Sequence, residues 1–210
     1  MSVETRALYE ISDNSFSTRG FAWASDYRLL PDRKSFIHTV WEERMRKFFE
    51  INPSLPGIHI DETGYRWPNF LGCGGGHVPY FVSERIVRSI REAGIEIVDA
   101  TAFPVSESLS KKLSPETAPR YFVLEAPAEI VPDWELMGYS LLPDGLPDFN
   151  VRIPSPSVHL YRKDTWTGRD LVSCGGTHLF CSERVMLMAK AQKWSNVRIE
   201  RRGTHMIRLP

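Results

Sequence analysis

Two short stretches of this chain set a cysteine four residues ahead of a histidine: Cys73 before His77, and Cys174 before His178. Two thiolates and two imidazoles are the donor set of a tetrahedral zinc site. A thiol beside an imidazole base, oriented by a third group, is the core of a cysteine nucleophile. The surroundings serve neither chemistry well. The spacing is not that of a zinc knuckle, and matching positions in two halves of a chain need not meet in space. No cysteine-enzyme signature flanks either pair. Gly74, Gly75 and Gly76 lack the Lys-Ser/Thr ending of a phosphate loop, and a strand rather than a helix is expected next. Cysteine is also commonly buried as a small hydrophobe. His159 and His205 stand alone. The expectation is structural turns, with no metal, no cofactor and no catalytic residue.

The elements around these pairs are written twice. Trp67 leads through Cys73-Gly-Gly-Gly-His77 to Ser83-Glu84-Arg85, and Trp166 leads through Cys174-Gly-Gly-Thr-His178 to Ser182-Glu183-Arg184. Upstream, Leu8-Tyr9-Glu10-Ile11 resembles Val123-Leu124-Glu125-Ala126, and Leu29-Leu30-Pro31-Asp32 recurs as Leu141-Leu142-Pro143-Asp144. A repeat of this length exceeds a solenoid unit. It predicts two related halves, 1–117 and 118–210, in which shared residues serve the shared fold. Trp67 and Trp166 occupy matching positions, which favours core anchoring over base stacking.

Within each half the glycine-rich turn should enter a short strand, with Ser83 and Ser182 as helix N-caps and Glu84 and Glu183 in the favourable first turn. Ile86, Ile90 and Ala93 share one face of the first helix, and Gly94 should stop it. Val185, Met188 and Ala189 play that part in the second. β-like stretches follow at Ile95–Val98 and Val197–Ile199, so the fold class predicted is α+β, each half ending in a strand–helix–strand unit. Further strands are expected at Ala7–Ile11 and Tyr27–Leu30. A helix near 33–50, with apolar residues at spacings of three and four, has no counterpart in the second half. Thr101–Pro119 has the composition of a linker, and the prolines of 144–157 predict an ordered loop.

With 42% hydrophobic and 25% charged residues, the composition is that of a soluble globular protein. No apolar run approaches the roughly 18 residues of a membrane span, and the N-terminus lacks the apolar core of a signal peptide. An odd cysteine count of three does not suggest a disulfide framework. A cytoplasmic protein with no membrane partner is expected. Net charge is zero but segregated. Residues 92–150 carry three Lys/Arg against eleven Asp/Glu, and residues 151–210 carry eleven against four. The two stretches either neutralise each other within the fold or leave an acidic face for a basic partner.

Three segments resemble the double-CxxCG family of bacterial immunity proteins, known from myxobacterial toxin–immunity pairs. Leu55-Pro56-Gly57 through Gly64-Tyr65-Arg66-Trp67 is similar to the family's lead into its first Cys-x-x-Cys-Gly. Tyr121-Phe-Val-Leu-Glu125 is similar to its central strand. Trp166 through Phe180-Cys181-Ser182-Glu183-Arg184 to Asn196-Val197-Arg198-Ile199 is similar to its ending. Ile60 and Thr63 replace the first cysteine pair, and Ile153 and Pro156 stand near the second, so zinc at the family's positions is excluded. The resemblance implies a non-catalytic protein that binds and neutralises a cognate toxin.

The reading is thus a stoichiometric immunity protein, not an enzyme, whose partner is a protein toxin. Glu129, Asp133, Trp134, Glu135, Asp144 and Asp148 form the candidate toxin-binding surface, with a solvated acidic loop as the competing explanation. The alternatives are a metal-supported nucleic-acid-binding module using the Cys/His pairs and the basic C-terminal stretch, and, behind it, a small Cys/His enzyme.

Overall fold

The computed structural model describes residues 4–5, 7–13, 23–28, 57–60, 64–73, 80–98, 102–143, 145–148, 160–174, 178–201 and 206–207. The helix expected near 33–50 lies outside these residues, as do His77, Asp144, His159, His205 and the loop beyond Asp148. The fold is mixed α+β, with strands in three sheets and two described α-helices. The chain divides into two units.

The first unit comprises Ser12–Glu125 and Gln192–Arg198. Its strands are β3 (Trp23–Arg28), β4 (Gly57–Ile60), β5 (Phe70–Cys73), β6 (Tyr80–Ser83), β7 (Ala102–Phe103), β8 (Val105–Ser108) and β9 (Tyr121–Leu124). They form one sheet in the order β7-β9-β6-β5-β3-β4-β8. The hairpin β5–β6 and the pair β6–β9 are antiparallel, which sets Leu71, Phe81 and Val123 in one cross-strand row. That row lies in a core with Ile58, Ile60, Phe103 and Tyr121. All four residues of β9 are buried, as a strand covered on both faces requires. Gly57 opens β4 at φ +128°, and a Cβ there would stand 2.8 Å from the Pro104 carbonyl oxygen. Only glycine allows β8 to approach so closely.

Helix α1 (Glu84–Glu92) leaves β6 directly and buries Ile86, Val87 and Ile90. It ends as expected: Gly94 adopts φ +67°, its N–H donates to the Arg91 carbonyl (2.9 Å), and the Ile95 N–H donates to that of Ile90 (3.0 Å). This double bond closes the helix end and folds Ile95 back over Ile90. The stretch expected as a strand, Ile95–Val98, is irregular. Residues 101–119, expected as a linker, instead supply β7, β8 and a 3-10 turn at Pro115–Thr117. Their apolar positions Phe103 and Leu113 join the core, a tertiary gain that Pro- and Ser-rich composition conceals.

The segment Gln192–Arg198 packs on β5. Trp194 stacks on Phe70 at 5.8 Å, and Asn196 donates from Nδ2 to the Phe70 carbonyl (2.8 Å) while holding φ 60°. Asparagine tolerates that left-handed conformation better than other side-chain-bearing residues. Asn196→Ala is therefore expected to destabilise the protein by about 2–3 kcal/mol, combining the lost bond with backbone strain. Asn196→Gly, which relieves the strain, should lose about 1 kcal/mol less. Urea-unfolding midpoints check the order; equal losses would show that the backbone conformation carries no weight.

The second unit comprises Met1–Ile11, Ala126–Ala191 and Ile199–Pro210. Hairpin β11 (Leu171–Cys174)–β12 (His178–Cys181) leads into α2 (Glu183–Ala191). The sheet order is β11-β12-β2-β13, with β2 at Tyr9–Asp13 and β13 at Val197–Glu200, whose last two residues belong to this unit. A smaller sheet joins β1 (Glu4–Thr5), β14 (Met206–Ile207) and β10 (Leu160–Tyr161). Helix α2 buries Val185, Met186 and Ala189, so Met186 takes the place expected for Met188. Lys193, eleven residues past Ser182 as Gly94 is past Ser83, holds φ 53° without being glycine.

The two hairpins share one register. Phe70 pairs with Val82 and Leu171 with Cys181, each three residues before its cysteine and one before its serine. Each hairpin then takes its next strand from the other half of the sequence. β6 pairs with β9, from the start of the second half, and β12 pairs with β2, from near the start of the first.

Candidate interaction surface

Cys174 and His178 face each other as a cross-strand pair at the turn end of β11–β12. The thiol is buried among Leu8, Ile130, Tyr161, Val172 and Phe180. Burial, with the Glu129 carboxylate adding to it, pushes Cys174 from the ordinary 9.0 up to about 12. Burial and the Asp170 carboxylate do the same for Cys181. Both thiols stay protonated at neutral pH, the opposite of an activated nucleophile. Burial, aided by Cys174 and Glu10, also raises the Tyr161 phenol. His178 is half-exposed, and its Nδ1 lies 3.1 Å from Oε1 of the buried Glu10 carboxylate. Among the described residues no three His, Cys, Asp or Glu side chains gather as metal ligands.

Cys73 ends β5 where Cys174 ends β11, but its side chain and His77 lie outside the described residues. Ser83 stands ten positions past Cys73, and Ser182 eight past Cys174. Counted back from the serines, His77 stands six residues away and His178 four, so in a shared hairpin register the histidines are not equivalent.

Each hairpin carries a clamp that the motif reading missed. Asn69 accepts from the Ser83 N–H through its carbonyl (2.8 Å) and donates from Nδ2 to the Ser83 Oγ (3.3 Å). In the second unit the Asp170 carbonyl accepts from the Ser182 N–H (2.9 Å), and its carboxylate accepts from the Ser182 hydroxyl (2.6 Å) and from Arg184 (2.9 Å). Asn69 and Asp170 both stand four residues before the cysteine. That shared polar position was the available signal. Ser83 holds the N-cap position of α1 without a side-chain capping bond, whereas the Ser182 hydroxyl accepts a long one from the Val185 N–H (3.5 Å).

The acidic candidates all fall in the second unit, between Ala126 and Asp148, where the sequence has no Lys or Arg. The stretch is anchored at its start. Ile130 is fully buried and donates to the Ser173 carbonyl (2.8 Å), and Asp133 donates its N–H to the Leu160 carbonyl (2.9 Å). Asp133 then caps a helical turn: its Oδ1 accepts from the Leu136 N–H (3.0 Å), and its carbonyl accepts from the Met137 N–H (3.0 Å). The Trp134 ring meets Tyr139 edge-on at 5.5 Å. A small hairpin follows, closed by Leu142 N–H to the Leu146 carbonyl (2.8 Å) and Asp148 N–H to the Ser140 carbonyl (2.8 Å).

What this hydrogen-bonded frame presents is partly apolar. Leu136, Leu141 and Leu142 are each about 40% exposed, and Leu146 is 58% exposed. Glu129 and Glu135 are exposed, and Asp133, Trp134 and Asp148 are half-buried. Single exposed leucines are ordinary; here four fall within eleven residues, with acids around them in the sequence. The leucines escaped the sequence reading because the stretch has neither helical nor strand periodicity. Comparison with protein-family models and with curated proteins finds no match for this chain.

Proposed function

We propose that this protein acts by stoichiometric binding, as an immunity protein that docks on a cognate toxin through residues 129–148 and blocks its active site or access to it. The observation that carries the reading is the exposure of leucines 136, 141, 142 and 146 within a stretch, 126–148, whose charged residues are all acidic; Arg162, whose N–H donates to the Val131 carbonyl, is a basic neighbour from outside it. An apolar centre with a charged surround is the usual anatomy of a docking interface. The resemblance to the double-CxxCG immunity proteins supplies the kind of partner. The protonated, buried thiols at 174 and 181 lend no support to the Cys/His enzyme reading.

A toxin acting on nucleic acid has a basic cleft, and an acidic surface placed there would gain chiefly in association rate. The test pairs this protein with any neighbouring gene product whose C-terminal domain proves toxic to cells when expressed alone. Reversing Asp133, Glu135 and Asp148 to Lys is expected to slow association about tenfold at low salt and to flatten its salt dependence. Leu146→Asp should instead raise the dissociation rate at least about tenfold, because it puts a charge into the apolar centre. Leu146→Asp should unfold like the parent, since an exposed position contributes little to stability, whereas the triple reversal also removes the Asp133 cap and is expected to lose about 1 kcal/mol. Unchanged kinetics and full protection of cells by both variants would refute this surface.

A further inference from the structure

The first unit holds a second feature with opposite charge. A cleft of ≈ 390 Å³ lies beside the start of α1, and its lining residues include Trp67, Pro68, Pro119, Arg85, Arg88 and Arg120. The volume falls within the range of small-molecule sites, about 300–1,000 Å³. Glu84 is the one acidic residue among the lining residues, against three arginines, and it meets Arg120 only at 3.5 Å, with both side chains exposed. Arg85 is held in place by donating from Nη2 to the Gln192 carbonyl (2.8 Å). Arg88 is exposed, and its side chain makes no hydrogen bond or ion pair among the described residues. Past Pro119 and Arg120 the surface continues into a second cavity of ≈ 270 Å³, lined by Phe103, Val105, Pro115 and Ala118.

We propose that this cleft binds a phosphomonoester, with the phosphate on Arg85, Arg88 and Arg120 and the organic group on the apolar wall that runs from Trp67 past Pro119. A carboxylate is satisfied by one guanidinium fork, whereas a phosphate dianion offers three oxygens and twice the charge. The first turn of α1 adds its partial positive charge on the same side. The apolar wall and the adjoining cavity distinguish the site from a bare anion site, because they leave room for a ring or chain beside the phosphate. This inference is independent of the toxin-docking surface, which lies in the other unit.

Calorimetric titration of the full chain with adenosine monophosphate, inorganic phosphate and adenosine tests it. The monophosphate is expected to bind at least about tenfold more tightly than inorganic phosphate, and adenosine is expected not to bind measurably. Arg88→Ala and Arg120→Ala should each weaken the monophosphate about tenfold or more, with unfolding midpoints unchanged for the unpartnered Arg88. Glu84→Gln should tighten binding several-fold by removing a like charge. The proposal is overturned if inorganic phosphate binds as well as the monophosphate, if adenosine binds equally, if the arginine variants bind like the parent, or if only an acidic peptide binds.

Discussion

Cutting the chain between residues 117 and 118 is expected to leave neither half folded by itself, and mixing the halves is expected to restore the native spectrum. The reason is the reciprocal pairing of the two hairpins. Residues 1–117 contain β5, β6 and α1 but lack β9, whose Tyr121, Phe122, Val123 and Leu124 are all buried and whose backbone pairs along β6. At about 1.5–3 kcal/mol for each large apolar side chain, removing that strand forfeits on the order of 6–12 kcal/mol. That is comparable to the whole stability of an ordinary domain, about 5–15 kcal/mol. Residues 118–210 lack β2 and, just before it, the fully buried Leu8. They also lose Ile11, and β12 is left with an unpaired apolar edge prone to association. Circular dichroism and amide exchange of each half, alone and recombined, decide the matter. A half that folds cooperatively on its own would show that the exchanged strand is dispensable.

Raising the pH from about 8 to about 11 is expected to destabilise the folded protein by roughly 5 kcal/mol through its two buried thiols alone. Cys174 and Cys181 ordinarily ionise near 9.0 and are held in the fold until about 12. Between those values the unfolded chain has released its protons while the folded chain keeps them, so stability falls with rising pH at about 1.4 kcal/mol per unit per thiol. Below about pH 9 both states are protonated and the contribution is fully present. The Tyr121 and Tyr161 phenols, raised mainly by burial, act in the same direction from about pH 10 upward. Urea unfolding at stepped pH should show a steep decline in the parent. A Cys174→Ala, Cys181→Ala double variant, less stable at neutral pH by its lost packing, should decline much less steeply. Identical slopes would mean that the thiols reach solvent in the folded state.

The local elements could be argued from the residues. Ser83-Glu84-Arg85 and Ser182-Glu183-Arg184 each begin a helix at the expected residue, and Gly94 ends the first with the expected left-handed turn. These signals act within a few residues: the Ser-Glu pair sets a helix start with its acid in the favourable first turn, and glycine alone enters the left-handed region without strain. β9 was expected only through the resemblance, which set Tyr121–Glu125 against a central strand, and the structure forms it at Tyr121–Leu124. The acidic stretch was also visible as composition. Its exposed leucines and the turn capped by Asp133 were not, because irregular segments take their shape from hydrogen bonds to Ser173 and Leu160, far away in sequence.

Everything that depends on which strand lies beside which was decided by the tertiary structure. The phrase around Cys73 and Cys174 determines a hairpin and its register, but a hairpin edge accepts any strand of suitable pattern. Only packing in three dimensions selected β9 for one hairpin and β2 for the other. The same holds for residues 101–119, where proline and serine argue for a linker until Phe103 and Leu113 find a core to enter. The protonation of Cys174 follows from burial beneath Leu8 and Tyr161, which no spacing of cysteine and histidine encodes. The arginine cleft belongs in this class too. Arg85 and Arg88 come from one helix, but Arg120 reaches them only because Glu84 donates its N–H to the Arg120 carbonyl (2.9 Å) as β9 begins beside β6. Local chemistry therefore determined the pieces, through forces acting over a turn of helix or a tight loop. Apolar burial and strand pairing, which act between residues distant in sequence, decided how those pieces were shared.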